Sequence, residues 1–512
     1  MEYDIIFVHG ELFFDHPLCG IAILKRLLEK HGYKAGVIEM PQKEEDITKL
    51  GRPKLFFAVG SGSIDSMVRN YTPMKKLRNE DERLDYTERV PPRAVTVYSN
   101  WIKRHYKGSL IVLGGTEASM RRFAHYDYWD NDLRRPILFD ARGDIIAYGC
   151  AEKQIVEIAR RARNKETLEG VEGTCIISKQ LPPEFTELPS YDEVKQSKDR
   201  FCDMQNMLSN SRNLAQKIDN RYALQYKSPK YTPGDLDEYY EMPFTRKIPS
   251  KHLSGFEFSI VTHRGCIGDC NFCALTLLQG NRIISRSEES IIREAKRMAK
   301  MPHFKGNIDD LGGPSANMYG MDCNKCNSNC MACKTLDRSN KRLINLMRRL
   351  RNTEGIKKVF VRSGIRYDLA SPEYTSELAK HHISGKLKVA PEHVNKNVLR
   401  LMNKDYGDFG KFMREFKKTG KSLTFYFMTA HPGSGMKEAK ELAQAVKHLK
   451  NAEAVQVFTP VPMVASTCMY YTAMDPKTKK KIYVPYTYSE KKKQKQLCYG
   501  EDSINKSFLQ FD

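Results

Sequence analysis

The sequence contains no apolar run that approaches the roughly 20 residues needed to cross a bilayer as a helix. We also expect no signal peptide, because the first residues, Met1 to Asp4, pass directly into a strand-like segment. Internal repeats and low-complexity segments are missing as well. We therefore expect a cytoplasmic protein with no membrane partner. Its 512 residues are enough for about two to four domains, each with its own core.

Acidic residues are scarce relative to basic ones. The chain has 62 Asp and Glu against 84 Lys and Arg, which leaves a formal net charge of +22. This excess fits an acidic partner, with RNA as the first expectation, although a generally solvated basic surface explains it equally well. Lysine-rich runs occur at 477–481 and 491–495, and we predict that residues 486–512 form a basic, solvated tail.

Thirteen cysteines in a chain without an export signal indicate metal ligation rather than a disulfide framework. Cys266, Cys270 and Cys273 follow a strand-like run at spacing Cys-x3-Cys-x2-Cys. Thiolates suit iron–sulfur clusters or zinc, and either centre usually takes four protein ligands. Three local cysteines therefore predict a cubane cluster with one iron open to a ligand that is not protein. A half-built structural zinc site is the alternative.

A second group, Cys323, Cys326, Cys330 and Cys333, has the spacing Cys-x2-Cys-x3-Cys-x2-Cys. Four thiolates are a complete ligand set for structural zinc and for an auxiliary iron–sulfur cluster. The sequence favours neither metal. Complete coordination leaves no open position, so we do not expect a catalytic Lewis acid at this centre.

Strand-like and helical segments alternate through the first 180 residues. The runs 4–8, 34–40, 54–59 and 109–113 are apolar, and most are separated by helical stretches. This alternation predicts a doubly wound, parallel α/β sheet. Glycines follow several strand ends, but none completes a G-x-G-x-x-G motif, so a nicotinamide or flavin site is not supported.

Residues 181–250 differ in composition from the segments on either side. Turn formers are frequent, and tyrosines are interleaved with them. We predict an irregular, partly helical connector; a strap over a substrate channel would have a similar composition.

From residue 251 to 485 the pattern becomes strand, helix, strand, helix, repeated about six times. The predicted strands are 257–262, 307–311, 357–361, 385–390, 423–429 and 454–458. Parallel strands joined by helices close into a barrel whose chemistry lies at the carboxyl ends of the strands. The second cysteine group would be an insert at 323–333 in this barrel.

Polar and glycine residues follow the predicted strand ends, where a ligand would bind. Glycines let main-chain carbonyls approach a ligand, whereas Arg362 and Ser363 suit a carboxylate or a ribose, and Lys388 would balance a carboxylate. The candidate binding residues are Gly312, Gly313, Pro314, Ser315, Arg362, Ser363 and Lys388.

Three further residues at this edge are candidates for catalysis. Glu392 would bind ribose or transfer a proton, because a carboxylate serves either purpose. His393 and His431 also follow predicted strands, although a lone histidine is as often a structural residue.

The three-cysteine loop, with Phe272 directly before its third cysteine, resembles the radical S-adenosylmethionine (SAM) superfamily. The resemblance implies that Cys266, Cys270 and Cys273 hold a [4Fe–4S] cluster whose open iron binds the amino and carboxylate groups of SAM. It also implies a partial (β/α)6 barrel, SAM contacts at the glycine pair, and an electron donor of flavodoxin or ferredoxin type.

Beyond the core, the chain is similar to the YgiQ-type family of radical SAM proteins over nearly its whole length. The similar segments are 15–17, 114–118, 262–266, 312–314, 388–393 and the long connector. This similarity implies that the first domain resembles cobalamin-binding domains. The signature Asp-x-His-x-x-Gly is absent, however, and residues 15–20 have similar residue types at another spacing. We therefore do not expect bound cobalamin.

Together these features predict an enzyme that cleaves SAM to a 5′-deoxyadenosyl radical, which abstracts hydrogen from a substrate. Modification of RNA or protein, by methylation or sulfur insertion, is the expected kind of reaction. The alternative is a non-catalytic, metal-stabilised RNA-binding protein with zinc at both cysteine groups, which would bind RNA with a steep salt dependence.

Overall fold

The computed structural model describes residues 2–78, 89–248, 255–323, 329–449 and 452–499. The chain forms two compact units. The first consists essentially of Met1–Lys230 with Thr459–Ile482, and the second of Tyr231–Phe458 with Tyr483–Phe511. No helix in the described ranges is long and apolar enough to cross a membrane.

The first unit is built on a large sheet flanked by helices. The strands of this unit are β1 Ile5–His9, β2 Ala35–Glu39, β3 Phe56–Gly60, β4 Leu110–Gly114, β5 His125–Asp127, β6 Asp132–Arg134, β7 Ile145–Ala147, β8 Thr174–Ser178, β9 Thr186–Leu188, β10 Leu214–Ile218 and β11 Arg221–Gln225. Its helices up to residue 230 are α1 Gly20–Lys30, α2 Ser66–Asn70, α3 Ala94–His105, α4 Gly115–Ser119, α5 Ile137–Ala141, α6 Glu152–Asn164, α7 Tyr191–Gln196 and α8 Lys198–Met207.

The strand order is β2-β1-β3-β4-β7-β8-β11-β10-β9, and the first five strands in that order are parallel. The chain runs outward to β2 and then back across β1 to β3, which makes a topological switch point between β1 and β3. From β8 onward the sheet is mixed, because β8 and β11 pair antiparallel with their neighbours. The predicted doubly wound α/β sheet is thus confirmed, with an antiparallel extension.

Both faces of the parallel strands are buried. Ile6 and Val8 face a core that contains Tyr98 of α3, whereas Ile5 and Phe7 face another core on the opposite side. Strands covered by helices on both faces need continuous apolar sequence, which is why β1 has no polar alternation.

A late segment of the chain returns to the first unit. Helix α17, Ala465–Thr472, packs against α8, and Sγ of Cys468 lies 3.8 Å from Sγ of Cys202. The side chain of Asn206 donates a hydrogen bond to the carbonyl of Pro476 at 2.7 Å. The surface of α8 is therefore completed by residues that follow it by more than 250 positions.

The second unit contains the remaining elements. Its strands are β12 Ile260–Val261, β13 His263–Arg264, β14 Ile284–Ser285, β15 Asn307–Ile308, β16 Leu311–Gly312, β17 Lys358–Val359, β18 Lys386–Glu392, β19 Ser422–Thr429 and β20 Ala452–Val457. Its helices are α9 Pro233–Glu241, α10 Leu275–Gln279, α11 Glu288–Ala299, α12 Lys341–Arg351, α13 Pro372–Glu377, α14 Lys396–Leu401, α15 Phe409–Lys417, α16 Met436–Lys447 and α18 Tyr488–Tyr499.

Parallel pairing in this unit follows chain order. β12 pairs with β16, and β15 pairs with β17. β19 pairs with β18 on one side and with β20 on the other. All four pairs are parallel. A parallel bridge between Ile365 and Val389 joins the segment after β17 to β18. Residues of α11, α12 and α16 pack on these strands in one core. This is the predicted partial (β/α)6 barrel, in which the parallel-paired strands direct their carboxyl ends to one edge, whereas β13 and β14 form an antiparallel pair.

Two regions contain regular structure that the sequence did not predict. Within the predicted connector, β10 and β11 form a hairpin inside the large sheet. Their pattern is hard to read because buried Gln216 and Gln225 interrupt it. Each amide oxygen is bound, that of Gln216 by the N–H of Ala124 at 2.7 Å and that of Gln225 by Arg122 at 2.6 Å.

The predicted solvated tail, 486–512, also contains regular structure in its described part, whereas residues 500–512 lie outside the described residues. Residues 488–499 form helix α18, and Cys498 is buried in the core of the second unit. Gln494 is fully buried, and its amide oxygen accepts the N–H of Ala430 at 3.0 Å. Lys491 is buried on this packed face, and the other lysines of the helix lie beside the face rather than on a free chain.

A buried ion-pair network in the second unit generates a stability prediction. Glu294 of α11 accepts hydrogen bonds from Arg246 and Arg286, and all three are at most 3 % exposed. Glu294→Ala would leave two buried guanidinium groups without their carboxylate, which should cost about 3–5 kcal/mol of unfolding free energy. Glu289→Ala on the same helix, which removes an exposed partner of Arg349, should cost at most about 1 kcal/mol. Chemical denaturation of both variants tests this, and equal losses would contradict it.

Candidate functional site

The cysteine loop is closed at its base by a short hairpin. His263 and Arg264 of β13 pair with Ser285 and Ile284 of β14. The N–H of Cys266 donates to the carbonyl of Gly280 at 3.1 Å. The loop that carries the three predicted ligands therefore leaves and re-enters the fold at adjacent points.

Gly265 is required at the start of this loop. Its φ is +87°, and a Cβ there would lie 1.7 Å from the carbonyl oxygen of Arg282. Both the backbone conformation and the close approach exclude a side chain. This position fixes where Cys266 leaves the hairpin.

The three predicted ligands lie within reach of one another's charge. Cys266 is buried, whereas Cys270 and Cys273 are half-buried. Burial, with a smaller contribution from Cys270, raises the pKa of the Cys266 thiol. Burial, with smaller contributions from Cys270 and Cys266, raises the pKa of Cys273 to about 12. Thiolates in such surroundings need positive charge close by.

Iron fits this donor set, because three soft sulfur ligands on one loop suit an iron–sulfur cluster. Among the described residues no group of three or more His, Cys, Asp or Glu side chains is already arranged to hold a metal ion. The agreement with a cluster therefore lies in the chemistry and spacing of the donors.

Two buried cations border the loop, and neither was among the predicted site residues. Arg366 donates through Nη1 to Sγ of Cys270 at 3.4 Å and forms an ion pair with Asp368. Lys404, 7 % exposed, donates to Glu392 at 3.3 Å. Both cations lower the pKa of Cys266, against the larger effect of burial.

Glu392 is the predicted catalytic residue whose charge acts on a sulfur of the loop. It ends β18 at a positive φ of 68°, next to a register shift in its pairing with β19. Its carboxylate is close enough to contribute to the raised pKa of Cys273, behind burial and the other cysteines. A carboxylate is therefore present beside the sulfurs, held by Lys404.

The glycine pair after β16 lies against polar side chains. A Cβ on Gly312 would lie 2.4 Å from the hydroxyl oxygen of Ser363, and a Cβ on Gly313 would lie 2.2 Å from the ring of His263. Ser363 donates its hydroxyl to Asp310, which also accepts the N–H of Ser363 at 3.0 Å. Predicted residues of two strand ends thus meet here.

The other predicted binding residues lie as follows. Pro314 and Ser315 are half-buried and lead into a 3₁₀ turn at Ala316–Met318. Lys388 is half-buried with its ammonium 3.5 Å from the hydroxyl of Tyr426. The exposed Arg362 donates to the carbonyl of Gly255 at 2.8 Å, a residue that precedes β12.

Both predicted histidines are interior and uncharged near neutral pH. Burial lowers the pKa of His393 to about 4 and that of His431 to about 3. His393 accepts the N–H of Asn395 at 3.0 Å, and the ring of His431 packs between Phe458 and Phe272. These contacts favour a structural role for both rings.

The second cysteine group lies beside the first loop. Cys323, Cys330 and Cys333 are half-buried, whereas Cys326 lies outside the described residues. Cys330 and Met331 pack in the same apolar cluster as Cys266. A hydrogen bond with the Thr335 hydroxyl lowers the pKa of Cys333.

The site residues that sequence reasoning missed differ in how far the sequence could have indicated them. Arg366 and Asp310 are close to predicted strand ends, so the strand-end rule could have included them. Lys404 follows α14, far from any strand end, and only the folded chain brings it to the loop.

A matched pair of glycines tests the loop geometry. Gly265→Ala should reduce iron retained after anaerobic reconstitution at least tenfold, because the new Cβ displaces Cys266 from the hairpin. Gly420→Ala, outside the loop, also forces an alanine into positive φ, 70°, but no atom lies within 4 Å of its Cβ, so it should retain iron and cost only about 1–3 kcal/mol of unfolding free energy. Equal iron retention in both variants would contradict this account of the loop.

Comparison with known families covers nearly the whole chain. Residues 1–257 match the family described as Radical SAM N-terminal, and residues 260–446 match the Radical SAM superfamily. A UPF0313 protein of Methanocaldococcus jannaschii is 42 % identical, over 98 % of this chain and 90 % of its own length. A UPF0313 protein of Fusobacterium nucleatum is 39 % identical, over 96 % of this chain and 95 % of its own length.

Solved structures show the same fold at low sequence identity. The methyltransferase TsrM of Kitasatospora setae, solved with cobalamin and a [4Fe–4S] cluster, has a TM-score of 0.54 at 15 % identity, over 92 % of this chain and 79 % of its own. The cobalamin-dependent SAM radical enzyme OxsB has a TM-score of 0.51 at 11 % identity, over 87 % of this chain and 52 % of its own.

Proposed function

Since the chain belongs to the UPF0313 family and is an enzyme of the radical SAM class, as its YgiQ-type resemblance predicted, we propose that it holds a [4Fe–4S] cluster on Cys266, Cys270 and Cys273 and cleaves SAM there. The observation that carries the proposal is the hairpin-closed loop that brings three thiols together beside two buried cations. The non-catalytic alternative finds no support in the family or in the structural neighbours.

When bound, the cluster supplies the electron that splits SAM into methionine and a 5′-deoxyadenosyl radical, which removes a hydrogen atom from the substrate. The electron comes from a donor of flavodoxin or ferredoxin type. The part of the protein is to hold SAM and the substrate in position and to exclude water.

In this proposal SAM is bound mainly by the main chain at Gly312 and Gly313, where close neighbours leave no room for a side chain. Ser363, held by Asp310, and Lys388 supply polar contacts. Arg362 ranks behind them, because its guanidinium group is engaged by the carbonyl of Gly255. Glu392 would bind the ribose or transfer a proton.

The first unit is proposed to work without a histidine ligand to cobalamin. Asp15 and His16 are the residues most similar to the missing signature. Asp15 pairs with Arg26, and His16 is fully buried with Nδ1 accepting the N–H of Leu18 at 3.0 Å. At the switch point, the Glu11 side chain lies where Gly62 would carry a Cβ. These contacts favour a domain that does not hold cobalamin, although the structural neighbours bind it.

The second cysteine group is proposed to bind a separate zinc or iron–sulfur centre. Four soft ligands within eleven residues support this, together with the packing of Cys330 near Cys266. Because its ligand set is complete, this centre should assemble without the first three cysteines.

The cluster assignment predicts the behaviour of a triple variant. Replacing Cys266, Cys270 and Cys273 by Ala should abolish release of 5′-deoxyadenosine from SAM by the reduced protein, while the fold is retained. Cys150→Ala, at a half-buried cysteine of the first unit, is the control and should keep full activity. If the wild type releases no more 5′-deoxyadenosine than the triple variant, the assignment is wrong. Retention of about one zinc or about four irons by the triple variant would support the second centre.

RNA is the substrate class that we propose, and an exposed aromatic segment supports it. Tyr483, Tyr486 and Tyr488 are 54 %, 49 % and 45 % exposed, and the helix that begins at Tyr488 carries Lys492, Lys493 and Lys495. Aromatic rings interleaved with cations suit single-stranded nucleic acid, because bases stack on the rings while cations meet phosphates.

This segment lies at the same edge as the predicted cluster. The carbonyl of Tyr483 accepts the N–H of Gly433 at 2.7 Å, in the loop after β19, and His431 of that loop packs near Phe272 of the cysteine loop. The hydroxyl of Tyr483 donates a hydrogen bond to the carboxylate of Glu490 at 2.6 Å. A strand bound along the tyrosines would therefore approach the reaction site.

Replacing Tyr486 and Tyr488 by Ala should weaken binding of a fluorescent single-stranded RNA by about 5-fold to 150-fold per tyrosine, since each stacked base contributes about 1–3 kcal/mol. The corresponding Phe variants keep the rings and should bind like the wild type. Anisotropy titrations at several salt concentrations measure both. No RNA binding by the wild type, or binding only to anionic lipid vesicles, would refute the RNA proposal.

A further inference from the structure

Arg366 is held in a single orientation beside the cysteine loop. Asp368 accepts hydrogen bonds from Nε at 2.9 Å and from Nη2 at 2.5 Å. The two side chains are 5 % and 2 % exposed. This two-point pairing occupies one edge of the guanidinium group, and the remaining nitrogen, Nη1, lies 3.4 Å from Sγ of Cys270.

The main chain of Arg366 is fixed as well. The fully buried Asn317 accepts the N–H of Arg366 at 3.0 Å and donates to its carbonyl at 2.8 Å. Asn317 follows the glycine pair at the end of β16, and Arg366 lies in the segment after β17. These two hydrogen bonds therefore join the segments that follow two successive strands. Such double anchoring restricts both the backbone and the side chain of Arg366.

The cysteine loop is shaped to admit the guanidinium group. A Cβ on Gly268 would lie 2.3 Å from Nη1 of Arg366 and 3.4 Å from Sγ of Cys266. A side chain at this position would collide with the guanidinium group where Asp368 and Cys270 hold it. The arginine, its carboxylate partner and the glycine of the loop thus form one fitted arrangement.

We propose that Arg366 is a positioning residue whose Nη1–H donates to the Cys270 thiolate and makes the cluster easier to reduce. This inference rests on the proposed function. One electron passes from the flavodoxin- or ferredoxin-type donor to the cluster, no proton is taken up, and the cluster becomes more negative by one charge. A hydrogen bond from a cation to a ligand sulfur stabilises the more negative state, which raises the reduction potential.

The carboxylate does not cancel this effect, because it binds the opposite edge of the guanidinium group. The pair acts on the sulfur as an oriented dipole with its positive end nearer. The Lys404–Glu392 pair differs in this respect, since its carboxylate itself acts on Cys273. Arg366 is therefore a charged side chain that acts on a ligand sulfur directly, in addition to the backbone hydrogen bonds of Gly268 to Cys266 and of Leu275 to Cys273.

The test is the midpoint potential of the reconstituted full-length protein without SAM, measured by electron paramagnetic resonance during an anaerobic redox titration. Arg366→Met should shift the midpoint negative by about 59 mV, which corresponds to a tenfold loss in the one-electron equilibrium. Arg366→Lys keeps the positive charge but cannot bind Asp368 at two points and Cys270 at a third. Its midpoint potential should fall between those of the wild type and Arg366→Met. Arg349→Met, which removes an exposed arginine paired with Glu288, should leave the midpoint unchanged.

An unchanged midpoint in Arg366→Met at full iron content would overturn the inference. If that variant fails to load iron, Arg366→Lys decides: a midpoint equal to the wild type overturns the inference, and a more negative one supports it. A wild type that assembles no cluster would refute the proposed function itself. A wild type that cleaves SAM, with variants that share its midpoint, would refute only the role of Arg366.

Discussion

A buried thiol becomes a thiolate only when positive charge lies near enough to repay the loss of water, and the carboxyl edge of the second unit is arranged around this requirement. Burial and neighbouring cysteines oppose ionisation of Cys266 and Cys273. Iron would supply most of the missing charge, and two cations of the chain stand at the margin of the loop. Each of these cations is itself buried and needs a carboxylate, which accounts for Asp368 and Glu392. The sulfurs therefore require the nearby cations, and the buried cations in turn require their carboxylate partners.

The sequence was sufficient for features that depend on order and spacing along the chain. The cysteine loop, the glycine pair after β16 and the succession of parallel strands all have local patterns, and the α/β architecture of both units is as predicted. Features that depend on pairing in space were not accessible. The ion pair between Arg366 and Asp368 needs a 3₁₀ turn at Tyr367–Leu369, and no pattern indicates that turn.

Polar residues inside regular elements were the other obstacle. Gln216 and Gln225 stand in buried strand positions because specific donors satisfy their amides, and a reading based on apolar alternation takes them for loop residues. Gln494 has the same effect in α18, where lysines on the other positions imitate a solvated tail. In each case one satisfied side chain conceals the element from a pattern that counts only hydrophobic residues.

The return of residues 459–482 to the first unit has a consequence for synthesis. Helix α8 finds its partner α17 only after the barrel segment between them has been made. At 5–20 residues per second, the roughly 250 intervening residues take about ten to fifty seconds to leave the ribosome. During that time the face of α8 that carries Cys202 remains uncovered. The first unit therefore cannot finish folding until most of the second unit has been made, and a nascent chain of this protein has to be kept from aggregating through that face until the second unit is nearly complete.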